Sequence, residues 1–189
     1  MSCYLFVEFC LLFLLFSGCE AARKWEYELL SLEVFSSNPK LMKIEAKVVR
    51  MGRSEIGLSA TLDLNYDVTD ETTVNIEVIA YRSNSGDEGD YKMLPWAAPK
   101  QPYYEYLNTY YKDFVMKDFA SCSNLPQFKD KFQPPVQKKK YYAEKCMVIG
   151  EGLPDIVPPG YYKLIFNCTK PDEPYWGFIA IVRITTKLF

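Results

Sequence analysis

The sequence predicts a mainly β protein, a β-sandwich or open β-cup of seven to eight antiparallel strands with one amphipathic helix inserted about halfway. Three observations carry that prediction. Apolar residues alternate strictly with polar ones over several segments, turn-forming residues punctuate the chain between them, and only the stretch 101–126 repeats at the period of a helix.

The first strand follows from Trp25, Tyr27 and Leu29 alternating with Glu26 and Glu28, and it resumes at Leu32 and Val34 after a slip at Leu30 that marks a bulge. Ser36-Ser37-Asn38-Pro39 supplies a turn. Met42, Ile44, Ala46 and Val48 against Lys43, Glu45 and Lys47 give a second strand with one wet face. Ile56, Leu58, Ala60, Leu62, Leu64 and Tyr66 against Glu55, Gly57, Ser59, Thr61, Asp63 and Asn65 give the cleanest half-buried strand. Val74, Ile76, Val78 and Ala80 repeat the pattern. Asp67, Asp70 and Glu71 lie at a turn that lacks the glycine and ligand spacing of a calcium loop.

Ser83 to Asp90 reads as a polar loop. Met93 to Pro99 reads as an extended connector stiffened by prolines, in which Trp96 is either a plug on the core or a lip on an opening. In the helix, Tyr103, Leu107, Tyr110 and Phe114 form one apolar stripe and Tyr104, Tyr111, Val115 and Phe119 an adjacent one. Glu105, Asn108, Lys112, Asp113, Lys117 and Asp118 form the wet side. Such a face calls for a large apolar surface to lie on, and core packing is its plain role. Past Pro126, Phe128, Phe132 and Pro134-Pro135 read as an irregular rim with exposed aromatics. Strands are expected again from Tyr142 to Ile149, from Tyr161 to Phe166 and from Trp176 to Ile184. The apolar Ile179 and Ile181 on the second face of the last strand place it centrally or under cover.

The 189 residues suffice for one domain, and the formal charge of −2 removes the electrostatic basis for nucleic acid as a partner. Lys138-Lys139-Lys140 reads as a solvated strand edge. Histidine is absent, which excludes Ser-His-Asp and Cys-His nucleophile systems and the usual zinc ligand sets. A hydrolase built on carboxylates would need a converging pair, and no pair is marked for it. The residues therefore mark no catalytic centre, no metal and no cofactor. Aromatics make up 16 % of the chain, with 15 tyrosines, a composition that suits amphiphile-lined cavities and β-sheet surfaces alike.

Residues 1–19 read as a secretory signal peptide on the strength of the apolar run Phe9 to Phe16 and the small residues after it, leaving 20–189 as a single exported domain. Cys3, Cys10 and Cys19 go with or border the leader. Cys122, Cys146 and Cys168 remain and allow three pairings. Cys122 with Cys146 is the expected one, because it would tie the end of the helix to the next strand. Asn167-Cys168-Thr169 is a glycosylation sequon, and a glycan on Asn167 would place a solvent-facing loop end there.

The blocks Tyr103-Tyr104-Glu105-Tyr106-Leu107-Asn108-Thr109-Tyr110-Tyr111-Lys112-Asp113, Cys122-Ser123-Asn124-Leu125-Pro126, Leu153-Pro154 and Pro158-Pro159-Gly160-Tyr161-Tyr162-Lys163, with Tyr81-Arg82-Ser83, resemble the CheB family of insect chemosensory proteins. More distantly, the chain is similar to the ganglioside activator protein and ML-type lipid-recognition domains. The resemblance implies a secreted β-cup that holds a lipid or long-chain hydrocarbon and acts in gustatory detection of contact pheromones. It also implies a sensory-neuron membrane receptor or channel as partner, and no catalysis. The ganglioside activator's several disulfides have at most one counterpart here. Lining residues of such a cavity are expected to be Leu58, Leu62, Val74 and Ile76 on early strands and Trp96 in the connector. Tyr110 and Phe114 on the helix, Phe128 after it, and Tyr162, Leu164, Phe166, Trp176 and Phe178 on the last strands complete the set. The competing reading is an extracellular interaction domain with a filled core, which would use Trp96 and the 128–135 loop.

Overall fold

A computed structural model describes residues 24–52, 55–69, 74–95, 97–150, 153–170 and 175–187. The signal peptide expected at 1–19 and the expected lining residue Trp96 lie outside the described residues. Nine strands appear among those described: β1 Trp25–Ser36, β2 Met42–Arg50, β3 Ile56–Leu64, β4 Asn75–Ser83, β5 Lys92–Met93, β6 Gln101–Pro102, β7 Lys139–Cys146, β8 Gly160–Thr169 and β9 Trp176–Thr186. Seven are long and two are two-residue segments, so the expected number holds for the long strands. They form two antiparallel sheets, one ordered β1-β9-β8-β4-β5 with β6 also on β4, the other β2-β3-β7.

The slip at Leu30 is a bulge. Pairing of β1 with β9 shifts between Leu29 and Ser31, so Leu30 is thrown outward and Leu32 and Val34 return to the side of Leu29. At the end of β1 the chain crosses from the first sheet to the second, and Ser36 Oγ donates to the Met42 carbonyl at 2.6 Å across that corner. The apolar outer positions of β9 have the cause expected from its sequence: β9 is central, bonded to β1 on one side and β8 on the other.

The helix crosses the opposite side of the molecule. It begins beside β4, where the Tyr103 N–H donates to the Val74 carbonyl, and ends beside β7. Its first turn, Tyr103–Tyr106, and last turn, Met116–Phe119, are α-helical, but Leu107–Val115 between them is a π-helix. That changes the predicted face. Hydrogen bonds from i to i+5 widen the helix, so residues four and five apart share a side and residues three apart do not. Tyr106 joins the buried face, Tyr106, Tyr110 and Phe114 stack in one line at 6.2 Å per step, and Phe114 ends 37 % exposed. Asp118, expected on the wet side, is buried instead, and its Oδ2 accepts the Gly150 N–H at 3.0 Å.

The rest of the wet side meets protein as well as water. Lys112 Nζ donates to the carbonyls of Lys129 and Asp130, and Asn108 Oδ1 accepts the Phe132 N–H at 2.7 Å. These bonds pull the 126–136 segment onto the helix. Phe132 is therefore buried, in an edge contact with Tyr103, and Phe128 stacks on Tyr111. An exposed aromatic rim is the wrong description of that loop.

Strand β7 begins at Lys139 and ends at Cys146, earlier at both ends than its alternation suggested. Lys145 sits in the left-handed region at φ 51° and the register with β3 slips by one residue, Glu144 and Lys145 standing against Ser59, so the strand is bulged just before its end and Cys146 comes opposite Leu58. Lys139 and Lys140 lie exposed on this edge strand, as expected of a solvated edge. Cys146 is bonded to Cys122, with the Cα atoms 5.5 Å apart, and Cys168 is free and buried. The bridge spans 24 positions, so replacing Cys122 and Cys146 together with alanine is expected to lower the unfolding free energy by about 3 kcal/mol. Urea titration of the two proteins measures it, and an unchanged midpoint would mean that the helix end is held by packing alone.

Candidate functional site

Residues opposite one another in an antiparallel ladder point to the same side, so the registers define the faces turned toward each other. On the first sheet they form successive rows above the β1–β2 corner. The lowest holds Gln101, Ile76, Cys168 and Trp176, the second Val78, Phe166, Phe178 and Val34, the third Ala80, Leu164, Ala180 and Leu32, and the fourth Arg82, Tyr162, Val182 and Leu29. On the second sheet the corresponding rows are Met42 with Leu64, then Ile44, Leu62 and Tyr141, then Ala46, Ala60 and Ala143, then Val48, Leu58 and Cys146.

The two lower rows interlock. Met42, Leu64 and Tyr141 pack in one core with Ile76, Phe166 and Cys168, and the helix adds Tyr103, Tyr106, Leu107 and Tyr111. The third row has small side chains, five of its seven on the two sheets being alanine, of which Ala80, Ala143 and Ala180 are buried. It lies four residues above the corner, roughly 13 Å at strand rise. Inward side chains of a filled sandwich are sealed from water. Here Leu29, Leu32, Val34, Leu164 and Val182 of one sheet and Ile44, Ala46, Leu58 and Ala60 of the other stay partly exposed, and Val48 is 41 % exposed. Tyr162 and Cys146 in the fourth rows are buried, so the accessible inner positions are these aliphatic side chains and not whole rows.

An aromatic line forms one wall. Trp176 and Phe178 lie 5.4 and 5.1 Å from Phe166, Tyr106 meets Phe166 edge-on at 5.8 Å, and Tyr110 and Phe114 continue outward along the helix. Of the residues expected to line a cavity, Leu58, Leu62, Ile76, Tyr162, Leu164, Phe166, Trp176 and Phe178 are all on these inner faces. Tyr110 and Phe114 are on the aromatic line, and Val74 is in the packed core. Phe128 is committed to the stack between Tyr111 and Phe132. Tyr106 and the alanines were missed. The alternation of Ala46, Ala60 and Ala80 was visible, but nothing in sequence says that small residues of different strands share one level.

Asn167 is in β8 and not in a loop, on the outer face opposite Gly177, while Cys168 beside it points inward. Burial pushes the Cys168 thiol up to about 12, with the neighbouring Trp176 indole pulling the other way, and burial pushes the Tyr106 phenol up to about 12 as well. Both groups stay protonated in the folded protein after they have ionised in the unfolded chain. The unfolded state then holds fewer protons, so stability is unaffected below about pH 9 and falls as pH rises from there toward 12. Urea midpoints between pH 7 and 11 are expected to decline in that window, less steeply in Cys168→Ala. An identical decline in the variant would remove the thiol from the account.

An open groove of about 340 Å³ beside the disulfide is lined mostly by polar side chains, Ser121, Ser123, Glu144 and Lys145, with Cys122 and Tyr142. Among the described residues no group of three Cys, Asp or Glu side chains is placed to hold a metal ion. No helix among them is long and apolar enough to cross a membrane. No curated protein matches the chain. Residues 75–164, from the start of β4 into β8, match the family described as "Protein of unknown function (DUF1091)", so a DUF1091 domain occupies the part of the chain that supplies the helix, the disulfide and much of the inner face.

Proposed function

We propose that this protein is a secreted, non-enzymatic binding protein for an apolar or amphiphilic ligand, acting as a carrier or co-receptor in the detection of contact pheromones or tastants. The observation that carries the reading is the set of inward-facing apolar side chains left partly exposed in and above the alanine row, Leu32, Leu164, Ala46 and Ala60 with Leu29, Val182, Leu58 and Val48. Its biological setting rests on the resemblance to the CheB family. An alkyl chain entering the gap gains about 0.8 kcal/mol per methylene, so ~12 carbons offset an association cost of roughly 10 kcal/mol without a fixed polar contact. The aromatic line from Phe166 to Phe114 gives such a chain a flat wall.

Protein secreted from insect cells, examined by native mass spectrometry and then stripped of lipid and melted, tests the proposal. A carrier is expected to fly with lipid mass attached, to melt lower when emptied and to recover when lipid is restored. A bare polypeptide mass, apart from glycan, with an unchanged melting point would favour an extracellular interaction domain instead. That alternative has lost the exposed aromatics it would use at 128–132, since Phe132 is buried.

A further inference from the structure

Arg82 and its edge-strand neighbour Lys92 are the charged residues in the four inner rows of the first sheet, both in the top row. Arg82 stands beside Tyr162 in that row, the farthest of the four from the β1–β2 corner. Its Nη2 donates to the Pro159 carbonyl at 2.7 Å, while its Nε is shut away from solvent with no acceptor. A guanidinium has five N–H donors in a fixed fork, and the Pro159 contact accounts for one. Among the described residues no carboxylate forms an ion pair with Arg82. The acidic groups of the adjoining turn are used elsewhere. Asp90 Oδ2 accepts bonds from Ser83, Asn84 and Ser85, which hold its carboxyl below the usual range, and Glu88 pairs with Lys163 on the outer face. Lys92, opposite Arg82 on β5, adds a second cation on the same side.

An arginine whose Nε is buried without an acceptor, and which has no carboxylate beside it, is an arrangement that a ligand oxyanion would complete. The Tyr162 hydroxyl donates to the Pro158 carbonyl at 2.6 Å and its oxygen accepts from the Arg82 guanidinium, a neutral contact that supplies no counter-charge. Ala80 lies directly below Arg82 in the rows and Leu164 diagonally below it, positioned for the first carbons of a tail, with Val182 two strands across. Resting on the carrier reading above, we propose that the ligand is an anionic amphiphile, a long-chain carboxylate or phosphate monoester, with its head on Arg82 and its tail directed toward the aromatic wall. The bland role for Arg82 is a strap on the 158–160 loop, and that role is indifferent to the ligand's charge.

The test uses stripped, refolded full-length secreted protein and four probes of equal chain length: hexadecanoate, hexadecyl phosphate, 1-hexadecanol and hexadecane, each displacing a fluorescent fatty probe. Acetate and inorganic phosphate serve as headgroups without tails. The wild type is expected to bind the two anionic probes about tenfold tighter than the alcohol, as charge-assisted fork contacts exceed neutral ones, and to ignore the tailless ions. Arg82→Gln should bring that ratio near one and leave hexadecane binding unchanged, while Arg82→Lys keeps most of the ratio. Equal wild-type affinity for hexadecanoate and hexadecanol overturns the proposal even if Arg82→Gln does not fold, and so does a ratio that survives in a folded Arg82→Gln. Binding of hexadecane without charge preference sinks the anchor and spares the carrier. Binding of none of the long-chain probes sinks both, and capture of the tailless ions with the same affinity makes the site one for free anions.

Discussion

Replacing Gly177 with alanine is expected to destabilise the protein by about 3 kcal/mol, near the upper end for overpacking. Gly177 lies in β9 between Phe35 of β1 and Asn167 of β8, bonded on both sides. A Cβ there would stand 2.0 Å from the Phe166 carbonyl oxygen and 2.7 Å from the Phe35 ring. The ring could turn aside, but the carbonyl belongs to the ladder and cannot move without opening the sheet at the level where Phe166 and Phe178 stack. For a domain of this size the loss corresponds to a fall in melting temperature of roughly 10 °C. Thermal unfolding followed by circular dichroism measures it, and a shift under about 2 °C would mean that β9 is displaced here by more than the sheet geometry allows.

Substituting Ala60 with phenylalanine should reduce uptake of a long-chain ligand at least tenfold, the equivalent of about 1.4 kcal/mol, without lowering the melting temperature of the empty protein. Ala60 faces Ala46 on one side and Ala143 on the other, in the row where both sheets carry small side chains. A ring placed there occupies the space that a ligand tail would take. The two measurements answer different questions. If the gap is open, the ring fills it and stability stays level or rises by about 1 kcal/mol. If the side chains already meet, the ring overpacks the core and the protein melts lower by the equivalent of about 1–3 kcal/mol. A lower melting point with retained ligand binding would contradict the assignment of this row to the cavity.

Much of the fold could be read from residue order because the chain states it locally. The alternation of Ile56 to Leu64, the slip at Leu30 and the turn at Ser36 to Pro39 each report a backbone conformation that neighbours in sequence impose. The pairing of Cys122 with Cys146 was favoured for a topological reason that the structure repeats. The helix was legible as a helix but not as a π-helix, since an i to i+4 pattern is common to both. Phe128 and Phe132 were misread as exposed because loop aromatics carry no sign of the partner that covers them. Here the rings are covered by Tyr103 and Tyr111, and the loop is held in place by backbone bonds to Asn108 and Lys112 on the side of the helix expected to be wet. The candidate site was legible as a list of apolar residues, and its shape was not.

By itself the sequence determined that this chain folds mainly as half-buried strands around one aromatic helix, and that histidine chemistry plays no part in what it does. Tertiary structure decided which residues share a level. Strand register sets Ala46, Ala60 and Ala143 side by side on one sheet and Ala80 and Ala180 either side of Leu164 on the other, and it puts Arg82 in the row beyond Ala80. Alternation fixes only which way a side chain points, whereas the space between two sheets depends on the sizes of side chains far apart in the chain that pairing brings to the same height.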